Sequence, residues 1–245
     1  MLNFIQKNHG PLLHLATLGV NRISTIPCYN ESANLPLLLE RCKPLEMQSG
    51  IEVILVDNGS TDRSPEVLQS LLPQYPGCRS IRVDSNQGYG YGFGILSGLK
   101  AAKGEILGWT HADMQTDPQD MLQAWHYLIA TATTALSKDN ATIVLSWMWH
   151  LPSAMAKPMW DINAQPTLFP RDFFLTWHSP PHDFSLDLYA YYQAQRQGLA
   201  VHRFPVKFGE RAHGVSHWNV NWTAKWKFIR RTVDFSLQLK KNISA

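Results

Sequence analysis

The sequence predicts an α/β protein: one main domain built on a Rossmann-like, mainly parallel sheet with helices on both faces, followed by a C-terminal helical extension. Three observations carry this prediction. Short β-branched apolar runs alternate with helix-length segments along the first half of the chain, the pattern of strands joined by crossover helices. Each apolar run ends in a polar, turn-forming cluster that carries an acid. A length of 245 residues, with 44% hydrophobic and 17% charged residues, is enough to bury a substantial core and lies far from disordered composition.

Taken in order, RISTIPC (22–28) reads as a strand, YNES as a turn, and NLPLLLERCKPL as a helix with Asn30 or Ser32 placed to cap it. IEVILVDNGSTD is a second strand ending in a carboxylate and a glycine turn, and PEVLQSLL resumes helical spacing. SIRVDSN leads through Gly88 and Gly90 into the helix FGILSGLKAAKG, and EILGWTHAD leads into PQDMLQAWHYLIATA. Beyond residue 140 the pattern loosens. ATIVLSWMW reads as a strand, DINAQPTLFP as irregular, SLDLYAYYQAQRQG as a helix and VHRFPVKFG as a further strand. The expected organisation is an N-terminal segment (1–21), a main domain (22–217) and a basic amphipathic helix (218–245).

Cysteines at 28, 42 and 78 form no CxxC pair, so they read as buried thiols in a reducing compartment. No apolar run approaches the roughly 20 residues of a spanning helix, and the N-terminus lacks signal-peptide order, which predicts a cytoplasmic protein. The net charge is +3, but residues 218–245 hold six Lys/Arg against one Asp, a local +5 that leaves the remainder at −2. That distribution excludes a nucleic-acid surface spread over the fold and assigns the tail its own task.

In open parallel sheets, ligands lie beyond the carboxyl ends of the strands. The polar groups expected there are Tyr29, Asn30 and Glu31, then Asp57 and Asn58, then Asp84 and Asn86, then His111, Asp113 and Gln115. A dinucleotide fingerprint is excluded, because the first strand-to-helix turn, PCYNESAN, contains no glycine. The run Gly88, Gly90, Gly92, Gly94 suits either a tight turn with close helix packing or direct ligand contact. Asp57 is equally an ordinary turn former, and Thr61 or Asp62 can cap the next helix. In GWTHADMQTDP, alternation sends His111, Asp113 and Gln115 to one side if the backbone stays extended. Asp113 and the Gln115 carbonyl suit a hard divalent ion such as Mg2+ or Mn2+. His111 is open to three roles: a third metal ligand, a phosphate contact or a space filler. Asp117, before Pro118, is a helix cap.

TIPCYNESANL, IEVILVDNGSTDRS, NQGYGYGFGILSGLKAAKGE and the THADMQTDP segment resemble, in order and spacing, the motifs of family 2 glycosyltransferases of the GT-A fold. The polyprenyl-phosphate (dolichyl-phosphate mannosyltransferase-like) branch is the nearest, and the likeness runs over residues 22–217. It implies that Pro27, Tyr29, Glu31, Asp57, Asn86 and Gly88 hold the donor nucleotide, and that Asp113 and Gln115 hold Mg2+ or Mn2+ against its diphosphate. His111 stands where the first acid of the family's DxD pattern usually sits. DINAQPTLFPRDF resembles the acceptor-side loop, which carries over to Asp161, Gln165, Pro166 and Arg171. GERAHGVSHW resembles the RxxGxSK element, carrying over to Arg211, Gly214 and Ser216, with His217 in place of the usual lysine.

The resemblance implies an inverting transferase that moves a sugar from a UDP- or GDP-linked donor to a polyprenyl-phosphate or saccharide acceptor, in cell-envelope or polysaccharide biosynthesis. The alternative is a nucleotide-sugar binder that has lost transfer, with His111 as the lesion. Asp113 and Arg211 would stabilise the leaving group. A saccharide hydroxyl needs a base, for which Asp183 is the candidate, whereas a lipid phosphate needs none; Asp183 also suits the start of the following helix. In the tail, Trp218, Trp222, Trp226, Ile229, Val233 and Leu237 fall at helical steps among lysines and arginines. That stripe fits a helix packed on its own core, or one lying on the anionic inner face of a membrane.

Overall fold

A computed structural model of the chain describes residues 22–48, 50–84, 90–131, 134–138, 162–163, 165–199 and 201–214, with isolated positions between 226 and 237. The apolar runs become strands β1 (Arg22–Cys28), β2 (Ile51–Asp57), β3 (Cys78–Arg82) and β4 (Ile106–Trp109). Three further strands follow: β5 (Thr134–Lys138), β6 (Thr167–Pro170) and β7 (Val201–Pro205). They form one sheet in the order β3-β2-β1-β4-β6-β5-β7. The first four are mutually parallel, β6 runs antiparallel to both β4 and β5, and β7 is parallel to β5. The first strands are buried almost throughout, as parallel strands covered on both faces must be.

The helices are α1 (Leu35–Glu46), α2 (Ser64–Leu71), α3 (Tyr91–Ala101), α4 (Asp120–Thr131), α5 (Arg171–Leu175) and α6 (Ser185–Arg196). Strand alternation divides their packing between two cores. Val53 and Leu55 of β2 pack with Leu38 and Leu39 of α1 and with Met121 and Trp125 of α4. Ile54 and Val56 point the other way, toward Ile95 and Leu99 of α3 and the aromatic face of α6. Helices therefore cover both faces, as the sequence predicts.

The glycines of α3 are packing residues. A Cβ on Gly98 would lie 2.1 Å from Thr25 Cγ2, and one on Gly92 would lie 2.6 Å from the Asp183 carbonyl oxygen. Only a bare backbone lets α3 lie this close to β1 and to the segment leading into α6. Of the two readings of the glycine run, close helix packing is the one realised at these positions; Asn86 and Gly88 lie outside the described residues.

Two local expectations are corrected. Neither Asn30 nor Ser32 caps α1, which starts at Leu35 with Asn34 before it and a proline in its first turn, where the missing N–H does no harm. Asn30 instead adopts a left-handed φ of 56° and accepts the Thr61 amide at 2.8 Å, joining the first turn to the second. DINAQPTLFP is not irregular throughout, because TLFP forms β6. Trp109 pairs with Thr167 and Ile106 with Pro170, so an antiparallel partner, too short for an alternation signal, covers the edge of β4. The strand expected in ATIVLSWMW lies outside the described residues. The three cysteines are free and buried.

Candidate donor site at the carboxyl edge of the sheet

The parallel strands deliver their terminal turns to one edge. The first two turns are stitched together by side-chain acceptors: Ser60 Oγ takes the Asn30 amide at 3.0 Å, Ser64 Oγ the Glu31 amide at 3.0 Å, and Asp62 Oδ2 the Ser32 amide at 3.1 Å. Asp62 Oδ1 also accepts the Ser64 amide at 2.9 Å, so it takes the helix-start role expected of Thr61 or Asp62. Asp57, at the end of β2, is buried; its Oδ1 accepts the Ser60 amide at 2.9 Å and its Oδ2 pairs with Arg82. Pro27 lies on β1 beside this turn, and Tyr29 projects with 41% exposure.

Beyond β4 the backbone does not stay extended. The strand stops at Trp109, Thr110 and Thr116 bring their hydroxyls to 3.3 Å, and Met114 takes a φ of 62°, closing a compact loop. His111, Asp113 and Gln115 therefore diverge. Asp113 is 6% exposed; its Oδ1 accepts the Gln115 amide at 3.1 Å and its Oδ2 lies 2.8 Å from Arg211. Gln115 reaches the segment after β7, exchanging hydrogen bonds with the Gly209 backbone. His111 turns toward α3, its ring stacked on Tyr91 at 5.3 Å with Nε2 3.5 Å from the Tyr91 hydroxyl. Asp117 accepts the Gln119 amide at 3.0 Å and pairs with Arg41, in keeping with its reading as a cap.

The segment after β7 thus carries Arg211 over the ends of β1 and β4. Asn34 donates to the His213 carbonyl at 3.3 Å, and its amide also binds Glu31. Burial pushes the Glu31 carboxyl above its ordinary value; the Asn34 amide and Arg211 oppose that shift, and Asp113 adds to it. Glu31, Asp113 and Arg211 accordingly form one electrostatic cluster. Asn34 Oδ1, Asn58 Oδ1 and Arg211 Nε are buried without a hydrogen-bond partner among the described residues, leaving acceptors and a donor for a bound molecule or water.

The donor set bears on metal binding. Among the described residues no group of three His, Cys, Asp or Glu side chains stands together as a ligand cluster. One carboxylate, Asp113, with Gln115 and His111 directed elsewhere, fits an ion that arrives with a diphosphate and keeps phosphate oxygens and water in its shell. It does not fit a preformed cage.

The acceptor-side expectations divide. Arg171 is not brought to the site: it lies where β6 meets the start of β4, at the opposite edge, and its guanidinium donates to the Gly104 and Ala102 carbonyls at 2.6 and 2.7 Å. The antiparallel course of β6 carries it there, and its charge is committed to closing that turn. Gln165 sits in the interior, donating to Asp187 Oδ1 at 2.9 Å and to the Tyr91 hydroxyl at 3.1 Å. Asp183 Oδ1 accepts the Ser185 amide at 2.8 Å at the start of α6, and its Oδ2 lies 3.3 Å from Arg231. Ser216, His217 and Asp161 lie outside the described residues.

Sequence reading missed Asp187. This carboxylate is 4% exposed, accepts Trp109 Nε1 at 3.1 Å as well as the Gln165 amide, and is pushed up to about 7 by burial. Its signal is a lone acid set among the apolar and aromatic residues of SLDLYAYY, in a helix of which nine of twelve residues, Asp187 included, are buried.

Of the C-terminal segment, the described positions are helical. Arg231 lies over the Phe184 ring at 5.2 Å and Phe235 packs on the α3/α6 core, while Trp226, Arg230 and Leu237 are exposed. No helix among the described residues is long and apolar enough to cross a membrane.

A mainly parallel sheet with acids at successive strand ends and an arginine folded over them is an α/β domain whose ligand edge is the carboxyl edge of its strands, and the comparisons name its family. The family model for "Glycosyl transferase family 2" matches residues 25–173, more than half of the chain. The chain belongs to glycosyl transferase family 2. Among curated proteins it is 39% identical over 98 residues to the undecaprenyl-phosphate 4-deoxy-4-formamido-L-arabinose transferase of Pseudomonas aeruginosa PAO1, covering 39% of this chain and 29% of that one. The enzyme of the same name from Proteus mirabilis is 36% identical over 118 residues, covering 46% and 34%. The matches span about a third of the length of these relatives. In fold, the chain resembles glucosyl-3-phosphoglycerate synthase of Mycobacterium tuberculosis, solved with Mn2+ and UDP-glucose, with a TM-score of 0.71 at 18% identity, covering 94% of this chain and 82% of that one. The same enzyme with Mg2+ and UDP gives a TM-score of 0.71 with the same identity and coverage. These likenesses establish the GT-A fold.

Proposed function

We propose that this chain is an inverting glycosyltransferase that takes a sugar from a nucleoside-diphosphate donor and passes it to an anionic lipid-linked acceptor of the polyprenyl-phosphate type. The observation that carries the reading is the convergence of Glu31, Asp113 and Arg211 on one edge of the sheet, with Asp57 and Tyr29 beside them. In this reading Tyr29 and Asp57 hold the base and ribose. Arg211 faces the diphosphate, where a guanidinium forms short, charge-assisted hydrogen bonds to phosphate oxygens.

In the transfer step, an acceptor oxygen forms a bond to the anomeric carbon while the bond from that carbon to the diphosphate breaks, and the electron pair leaves on the diphosphate. The developing negative charge is what the protein must stabilise, and Arg211 is poised for it. A divalent ion, if bound, would sit at Asp113 and neutralise part of the same charge. The commitment of Asp183 to the start of α6 and to Arg231 supports an acceptor that is already ionised, because such a nucleophile needs no base. A partnership with the membrane is supported by the outward Trp226, Arg230 and Leu237 on a helix whose other side packs on the domain. That arrangement accords with action at the cytoplasmic face.

One observation favours a second reading, a nucleotide-sugar binder without transfer: the position of the first DxD acid holds His111, which turns to Tyr91. Calorimetric titration with UDP- and GDP-sugars, with and without Mn2+, combined with transfer to undecaprenyl phosphate, separates the two. Transfer abolished by Asp113→Ala supports the enzyme. Tight binding without turnover on lipid or saccharide acceptors supports the binder, and absence of any nucleotide binding refutes both.

A further inference from the structure

We propose that Arg231 binds the phosphate group of the acceptor, so that the C-terminal helix supplies the cation on the acceptor side of the site. The inference deepens the transferase reading and rests on it for the class of acceptor. A stack of side chains leads from the donor loop to this arginine. The His111 ring lies 5.3 Å from that of Tyr91, the first residue of α3, and Tyr91 lies 4.6 Å from Phe184, both pairs being stacked. Arg231 Cζ lies 5.2 Å from the Phe184 ring, and its Nε lies 3.3 Å from Asp183 Oδ2. The residues before α6 are in turn fastened to α3, because the Phe93 amide donates to the His182 carbonyl at 2.9 Å. Arg231 therefore stands on the same flank of the domain as His111, two rings away from it.

An anionic acceptor needs a cation on this flank. Arg171, which the sequence suggests for that role, is committed to carbonyls at the opposite edge, and Arg211 is paired with Asp113. Arg231 comes instead from the helical positions between 226 and 237. There Arg231 and Phe235, four residues apart, face the domain, while Trp226, Arg230 and Leu237 face outward. A helix with its side chains is about 10–12 Å across, so a lipid held at the outward face brings its headgroup close to the inward arginine. The side chains of Arg231 and Asp183 keep 20% and 24% exposure, which shelters the pair without closing it to a ligand. The planar fork of a guanidinium matches phosphate oxygens. A phosphate monoester carries a charge of about −1.5 to −2 at pH 7, more than a carboxylate, and so competes successfully for the same cation. Asp183 is not stranded by that exchange, because its Oδ1 keeps the Ser185 amide at 2.8 Å.

The test titrates the full-length protein with farnesyl phosphate, farnesol and glycerol 3-phosphate by calorimetry, with UDP and GDP in parallel. Farnesyl phosphate should bind about tenfold or more tighter than farnesol, as a charged hydrogen bond implies. Arg231→Gln should abolish that preference while leaving farnesol and nucleotide affinities unchanged, and Arg231→Lys, which keeps the charge without the fork, should restore part of it. An arginine that only anchors the helix would lower the thermal midpoint without altering the preference for phosphate over alcohol. A loss confined to farnesyl phosphate assigns the site to a lipid phosphate; a matching loss for glycerol 3-phosphate assigns it to phosphate monoesters at large, and either supports the role of Arg231. A phosphate preference undiminished in Arg231→Gln, or wild-type protein that binds neither phosphate, overturns the proposal. Should Arg231→Gln fail to fold, Asp183→Asn decides: removing the competing charge should tighten phosphate binding by about twofold to fivefold, and no change or a loss refutes the assignment. Nucleotide binding that persists while the phosphate result fails refutes the role of Arg231 alone, whereas absent nucleotide binding refutes the donor-site reading.

Discussion

Arg211→Ala removes the guanidinium that lies 2.8 Å from Asp113 Oδ2. The Asp113 side chain retains 8% exposure and that of Arg211 26%, so the pair sits nearer to the interior limit than to the surface one. Removing one partner of a buried pair costs about 3–5 kcal/mol, while an exposed pair is worth about 0–1 kcal/mol. With Arg211 a quarter exposed and Asp113 still accepting the Gln115 amide, the expected loss is about 1–3 kcal/mol. In a domain of this size each kcal/mol corresponds to roughly 2–4 °C in Tm. The substitution also frees Asp113 from its cation. Affinity for Mn2+ alone should therefore rise, while affinity for a nucleoside diphosphate, which loses its arginine, should fall by about tenfold, or roughly 1.4 kcal/mol. The assay is a double-mutant cycle of Arg211→Ala with Asp113→Asn in urea, at low and high salt, with Mn2+ and nucleotide followed by calorimetry. A coupling energy under ~0.5 kcal/mol together with unchanged Mn2+ affinity would refute the idea that the two residues share one charge balance.

Gly98→Ala should destabilise the fold by about 1–3 kcal/mol or more, read from the thermal midpoint, because its Cβ would meet Thr25 Cγ2 at 2.1 Å. Asp57→Ala should weaken nucleotide binding by tenfold or more, or about 1.4 kcal/mol in calorimetry, since it strips the second turn of the acceptor that orders Ser60. The Asp187 carboxyl, pushed up to about 7, holds its proton in the folded chain at pH values where the unfolded chain has lost it. Stability should therefore fall as pH rises from about 4 to about 7 and level off above, and Asp187→Asn should flatten that slope in urea melts taken across the range. Binding to anionic liposomes, weakened by salt and by Trp226→Ala, is expected of the outward face of the C-terminal helix; no cosedimentation at low salt removes that role.

Much of the fold was legible because its determinants are local. The runs RISTIPC and IEVILVD and the helix α6 each declare their state through spacing of apolar residues over a few turns. The misreadings fall where local signals compete or are too short. Asn30 looks like a cap, but a proline in the first turn of α1 places the start later. TLFP is a strand only because β4 and β5 lie beside it. In the candidate site, the residue types at the strand ends were readable, whereas their partners were not. Arg171 shares its residue type with Arg211 and sits in a resembling motif, yet the direction of β6 carries it to the far edge of the sheet.

The sequence by itself determined the order of the first four strands and the helices between them and the polar turns at their carboxyl edge, since periodicity and turn chemistry act between near neighbours, and the order and spacing of its motifs carried the family resemblance. Only the tertiary structure decided how those groups are used. A left-handed Met114 and a closed loop turn His111, Asp113 and Gln115 apart. The path after β7 brings Arg211 to Asp113, and α6 buries Asp187 beneath Tyr91. Which charge neutralises which, and which carboxyl is lifted by burial, depends on distances between segments remote in the chain, and those exist only once the sheet has assembled.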